Sequence, residues 1–161
     1  MNLTPSDHYA LRTITPTTSE QVPSSELMIS GKPTGKVLDG AVLEAALAWG
    51  DLLLLFMTDD VPYEEGLRIV LLDRNLNTLD SALIVAMYST GVFSDLDLTA
   101  ADTVRFRFFG GLVYTLTLLP QASFALPFFS DPSAVWRPFK WTRRFRIDAN
   151  PLPETGTSPP P

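Results

Sequence analysis

The densest charge in the chain lies in Asp59-Asp60-Val61-Pro62-Tyr63-Glu64-Glu65, a stretch set between two apolar runs. Its carboxylates could converge on a hard cation such as calcium or magnesium, which wants several oxygen ligands. Paired carboxylates could also act as acid and base in sugar cleavage. Neither chemistry has a spacing motif behind it here. Binding a partner needs less geometry: Pro62 limits the flexibility of the loop, and Tyr63 offers the aromatic anchor common in binding hot spots. Asp59, Asp60, Tyr63, Glu64 and Glu65 are therefore the candidate partner-binding residues, and their charge calls for a basic protein. A solvated loop that keeps strand ends soluble would have the same composition.

A second stretch, Trp136 to Ile147 (WRPFKWTRRFRI), interleaves Arg137, Lys140, Arg143, Arg144 and Arg146 with Trp136, Phe139, Trp141 and Phe145. Single-stranded nucleic acid is bound by such mixtures, with bases stacked on rings and phosphates on cations. Aromatic core residues alternating with exposed arginines on an edge strand give the same pattern, and arginines there also discourage edge-to-edge aggregation. The formal net charge of -6 argues against general phosphate affinity.

Much other chemistry lacks its usual residues. There is no cysteine, so disulfides, thiol catalysis and Cys-ligated metals are excluded, and the one histidine, His8, lies in a Pro-rich stretch. Histidine-based acid–base work and common catalytic zinc sites lose their players. No cofactor is called for. Three readings follow: a non-catalytic protein-interaction module of the immunity or inhibitor type, acting through the acidic loop; a β-barrel holding a small apolar ligand; and a carboxylate-based, metal-assisted or metal-free hydrolase.

The elements that would carry these residues are legible as strands. The clearest is Asp102 to Pro120, where alternating β-formers flank Gly110-Gly111. Side chains alternate with period two along a strand, so opposed residues share a face. A three-residue loop of Phe109, Gly110 and Gly111 sets Phe108 opposite Leu112, Phe106 opposite Tyr114 and Val104 opposite Leu116. A two-residue loop would spoil that apolar face. The three-residue form favours Gly111 in the left-handed position.

Elsewhere, Leu52 to Met57 reads as a strand buried on both faces. Val37 to Trp49 reads as a strand, with a short helix as the alternative. Gly66 to Leu72 and Thr78 to Tyr88 form a hairpin around Asp73 to Asn77, with Asp80 marking the solvent side of the return strand. Ser89 to Ala101 is a connection, Gln121 to Lys140 a loop pinned by Phe124, Phe128, Phe129 and Trp136, and Trp141 to Asp148 a closing strand. Hairpins without long helical patterns predict a mostly β fold, a single antiparallel sandwich or barrel with little helix.

The domain spans 36–148 between a flexible arm at 1–35 and a disordered Pro-rich tail at 149–161. The arm, with Pro5, Pro16, Pro23 and Pro33, is expected to hold at best one edge segment near Glu26 to Ser30. Its GKPTGK run (Gly31 to Lys36) departs from the phosphate loop in spacing and in the residue after the lysine. In the tail, Leu152-Pro153-Glu154-Thr155-Gly156 has the LPxTG pattern read by cell-wall sortases, without the apolar segment and basic end that signal works with. The most apolar stretch, Ala41 to Met57, is broken by Glu44 and Asp51 and falls short of a spanning helix. A soluble, cytoplasmic protein without membrane contact is expected. Charge is polarised along the chain: Asp51 to Asp102 holds ten acids and two bases, Thr103 to Asn150 seven bases and two acids.

Overall fold

The computed structural model describes residues 2–18, 20–61, 65–86, 90–125 and 131–151. In chain order the strands are β1 (Thr4–Pro5), β2 (Tyr9–Thr15), β3 (Ser24–Ile29), β4 (Lys32–Asp39), β5 (Val42–Trp49), β6 (Leu52–Thr58) and β7 (Leu67–Leu72). They continue as β8 (Thr78–Ile84), β9 (Ser94–Ala100), β10 (Thr103–Arg107), β11 (Leu112–Phe124), β12 (Val135–Trp136) and β13 (Thr142–Pro151). The described residues contain no helix. The strands form three antiparallel sheets, ordered β1-β5-β6-β7-β8-β12, β13-β11-β10-β9 and β2-β3-β4.

The six-stranded sheet lies in the middle, and β6 shows why. Its Leu54 and Phe56 join a core with Val104, Phe106, Tyr114, Leu116, Phe145 and Ile147 of the four-stranded sheet. The alternate residues Leu53, Leu55 and Met57 join a second core with Leu27 and Leu38 of the three-stranded sheet. A strand with both faces covered has no solvent side to encode, which is why Leu52 to Met57 reads as an unbroken apolar run. The fold is a β-sandwich extended by a third layer.

The central hairpin has the predicted register, with Val104 opposite Leu116 and Phe106 opposite Tyr114. Gly111 has φ +81° and closes the three-residue loop. Phe106 stacks on Tyr114 with ring centroids 5.5 Å apart and meets Phe56 edge-on at 5.2 Å. The interior between these two sheets is thus filled ring against ring.

Three elements differ from expectation. The stretch expected as an arm carries β1, β2, β3 and the first half of β4, because a sheet laid over an existing apolar face needs few buried side chains of its own: Leu27, Leu38 and partly buried Tyr9 and Leu11 supply them. Its prolines sit where ladder bonding tolerates them: Pro5 in edge strand β1 and Pro33 in edge strand β4. Residues 94–100, expected within a connection, form β9 against β10. The loop expected from Gln121 instead begins as strand, since β11 runs on to Phe124, and its pins Phe124 and Trp136 are exposed. Phe128 and Phe129 lie outside the described residues, as does the LPxTG pattern.

Leu27 is fully buried, so Leu27→Ala should lower unfolding free energy by about 2–5 kcal/mol, read by urea denaturation. An unchanged midpoint would mean that the three-stranded layer contributes nothing to the fold.

Candidate functional site

Asp80 is 1% exposed, in contrast to the solvent-side position expected from the sequence. Period two places it on the same face of β8 as Ala82 and Ile84, which belong to the main core. It is tolerated there because Arg137, far along the chain, reaches it: Nη2 donates to Asp80 Oδ2 at 2.6 Å. The remaining donors of this guanidinium are also used. Nε donates to the Ser81 carbonyl at 2.8 Å, Nη1 to Asp131 Oδ1 at 3.2 Å, and both Nη atoms reach the Phe145 carbonyl at 3.3 Å. The guanidinium carbon lies 4.3 Å from the centre of the Phe145 ring. Asp80 further accepts the Ser81 N–H at 2.9 Å and the Arg144 N–H at 2.8 Å. One carboxylate and one guanidinium thus clasp β8 of the central sheet to β13 of the four-stranded sheet.

Arg143 lies beside this clasp and is 5% exposed. It occupies an inward position of β13, two residues before Phe145 and four before Ile147, both buried. Its Nη2 donates to the Pro138 carbonyl at 3.0 Å. Nε and Nη1 are buried without a hydrogen-bond partner, as is Nε of Arg144. Burial lowers the Arg143 pKa, and the neighbouring Arg137 charge lowers it further, while Asp80 and Asp131 act in the opposite direction. A guanidinium remains cationic under these influences.

The space beside Arg143 comes from a fault in the ladder between β11 and β13. Leu118 pairs with Phe145 and Ser123 with Arg143, so four residues of β11 (119–122) bulge past Arg144 alone. Pro120, which has no N–H to give the ladder, lies within the bulge. A cavity of about 410 Å³ opens there, lined by Leu119, Ser123, Phe124, Ala125, Asp131, Arg143, Phe145 and Arg146. A second, of about 260 Å³, shares Asp131 and Arg143 and is otherwise walled by residues between Pro132 and Phe139.

Over these cavities lies an aromatic surface. Phe124, Trp136, Phe139 and Trp141 are between 54% and 68% exposed. Phe124 and Trp141 stack at 6.2 Å with planes 10° apart, and Phe139 meets Trp141 edge-on at 5.7 Å. The sequence expectation of aromatic core residues beside exposed arginines is reversed from 136 to 143, where Trp136, Phe139 and Trp141 face outward and Arg137 and Arg143 inward. At 145–147 it holds, with Phe145 and Ile147 buried and Arg146 exposed.

The acidic loop is only partly described, since Tyr63 and Glu64 lie outside the described residues. Asp59 is bound by Arg68, Nε to Oδ1 at 2.8 Å and Nη2 to Oδ2 at 3.1 Å. Glu65 accepts the backbone N–H groups of Asp59 at 2.6 Å and Val61 at 3.0 Å. Asp60 is exposed, at φ +59°. The structure therefore gathers Asp59 and Glu65 into the loop's own framework and leaves Asp60 facing solvent. Among the described residues no group of three His, Asp or Glu could hold a metal ion, and no helix is long and apolar enough to cross a membrane.

No protein-family model, curated protein or solved structure matches the chain. Sequence reasoning missed Asp80 and Arg143 as buried polar residues. The available signal was register: both fall two residues before a core position on their own strands.

Removing one member of a buried ion pair leaves the other charge uncompensated, so Asp80→Ala should cost about 3–5 kcal/mol. The Asp80→Leu/Arg137→Met double variant should lose less than the sum of the single losses, measured by a denaturation cycle. Strictly additive losses would show that the pair does not act as a unit.

Proposed function

We propose that the chain is a non-catalytic protein-interaction module whose contact face is the aromatic and basic surface formed by Phe124, Trp136, Phe139 and Trp141. The observation that carries this reading is the exposure of four large aromatic side chains at 54–68%, three of them, Phe124, Phe139 and Trp141, in ring contact, while Trp136 lines one cavity together with Phe139. Contiguous exposed apolar surface marks interaction sites more often than scattered single residues do. Tryptophan, tyrosine and arginine dominate the energetics of protein interfaces. Lys140 and Arg146, both exposed, border the face, which favours a partner whose apolar contact is rimmed by acidic groups.

The inhibitor-type reading, with Asp59, Asp60, Tyr63, Glu64 and Glu65 blocking a basic site, has less charge to offer. Asp59 is spent on Arg68, and Glu65 on backbone N–H groups. A ligand barrel is disfavoured by the ring-packed interior around Phe56, Phe106 and Tyr114. The nucleic-acid reading shares the aromatic face but must work against a net charge of -6.

Affinity capture with three baits separates the two faces: the natural chain, Trp136→Ala/Trp141→Ala, and Asp60→Ala/Glu64→Ala. The last pair spares Asp59 and Glu65, which hold the loop together. A protein retained by the natural chain and the acid variant but lost by the tryptophan variant is the expected result, with a loss of about 2 kcal/mol or more in affinity. Loss by the acid variant alone would move the contact to the acidic loop. Equal capture by all three would remove both faces from consideration.

A further inference from the structure

We propose that the groove between β4 and β12 binds an extended segment of a partner protein, which adds to β4 as a fourth strand of the outer layer. The proposal rests on the protein-interaction reading and gives that partner a binding mode. β4 is an edge strand, paired with β3 on one side only. The Gly40 N–H donates to the Pro23 carbonyl at 2.8 Å, and the register continues with Asp39 opposite Ser24 and Leu38 opposite Ser25. Bonded and non-bonded pairs alternate in an antiparallel ladder, so Leu38 spends its backbone groups on Ser25 while those of Val37 and Asp39 point away from β3. No hydrogen bond among the described residues takes them up. Nearer the start of β4 a bulge closes the edge: the Gly35 N–H donates to Glu26 Oε2 at 2.9 Å and the Lys36 N–H to Thr34 Oγ1 at 3.1 Å. The open edge is therefore Val37 to Asp39.

These residues line a groove of about 440 Å³ together with Val70, Ser81, Leu83 and Trp136. Lys36 Nζ donates to Thr78 Oγ1, at the start of β8, at 3.1 Å. Asp39 lies 4.0 Å from Arg68, which stands opposite Leu83 near the end of β8. β4 thus runs alongside β8, and β8 forms the floor between it and β12, the next strand of the central sheet. Asp80 and Ala82 are buried toward the main core, so Ser81 and Leu83 face the groove. Trp136 pairs with Leu83 and shares its face; at 66% exposed it forms the far wall. A guest strand with apolar side chains at alternate positions would set them on Val70, Leu83 and Trp136 while its backbone bonds Val37 and Asp39, the arrangement of β-strand addition. A second copy of the chain does not fit, because antiparallel pairing of β4 on β4 would carry its β7 and β8 into space these strands already hold. The guest is therefore a lone segment with no sheet of its own beneath it.

A phage-displayed library of random peptides, selected on the full chain, supplies the probe. Enriched sequences should carry apolar residues at alternate positions, and the strongest is then synthesised and titrated calorimetrically. N-methylation at successive positions of that peptide should weaken binding about fivefold or more at every second position and little between, since one side of the guest bonds β4 and each bond contributes about that factor. Val37→Pro removes one outward N–H without touching the ladder to β3 and should weaken binding about fivefold. Ser81→Phe leaves the edge of β4 as it is, fills the floor and should abolish binding. Peptides that bind both variants as they bind the natural chain, but lose affinity for Trp141→Ala, would overturn the strand site and leave the aromatic face as the contact. A selection that enriches no peptide, or N-methyl effects without alternation, would also overturn it, and the interaction reading would still stand or fall on the affinity capture.

Discussion

The Asp80–Arg137 pair is the constraint on which this end of the molecule depends. An ion pair taken out of water loses hydration that its mutual attraction restores only when the remaining donors and acceptors are also met. Here they are: Arg137 is shared among Asp80, Asp131 and the carbonyls of Ser81 and Phe145, and Asp80 also takes the N–H groups of Ser81 and Arg144. Asp80 and Ser81 come from β8, 57 and 56 residues away in sequence, and Phe145 from β13, whereas Asp131 belongs to the same stretch as Arg137. The clasp therefore fixes how residues 131–138 run between the two sheets, and with them the position of β12 on the edge of the central sheet.

That position determines which way the neighbouring side chains point. Between Trp136 and Trp141 there is no continuous strand: β12 is two residues long, Pro138 follows it, and β13 begins at Thr142. Period-two alternation cannot be carried through such a break, so the inward and outward sets are assigned afresh on each side. Arg137 turns inward because Asp80 waits there. Trp136, Phe139 and Trp141 are left outside, and the stack of Phe124 on Trp141 covers one face of each ring. The Ala125 N–H, bonded to the Trp141 carbonyl at 2.9 Å, ties the end of β11 to that arrangement.

Legibility in the sequence followed the range of the interactions. The central hairpin was readable in full, because its register depends on alternation over about ten residues and one glycine turn, all of them local. The double burial of β6 was readable because it leaves an apolar run. The three-stranded layer was not: with Leu27 and Leu38 as its buried apolar residues in the second core, its composition resembles that of an unstructured segment. Asp80 and Arg143 were misplaced for a different reason. A charged residue at an inward register position looks like an error in the register unless its partner is known, and the partners of Asp80 lie 57 and 64 residues away.

The same bookkeeping of charge explains why Arg143 differs from Arg137 although both are buried. Among the described residues Asp80 and Asp131 are the carboxylates acting on Arg143, and their hydrogen bonds go to Arg137 and to backbone N–H groups of β8 and β13. Arg143 keeps one bond, to the Pro138 carbonyl. Substituting an apolar residue would give a better-packed strand end, since an uncompensated buried charge costs several kcal/mol. Arg143 thus sits at an inward position beside a cavity opened by a four-residue bulge, with Nε and Nη1 buried and unpaired. The clasp supplies rigidity to this arrangement: with Arg137 holding β8 to β13, the strand that presents Arg143 cannot shift to bring its free nitrogens to water or to another carbonyl without breaking the bonds of Asp80.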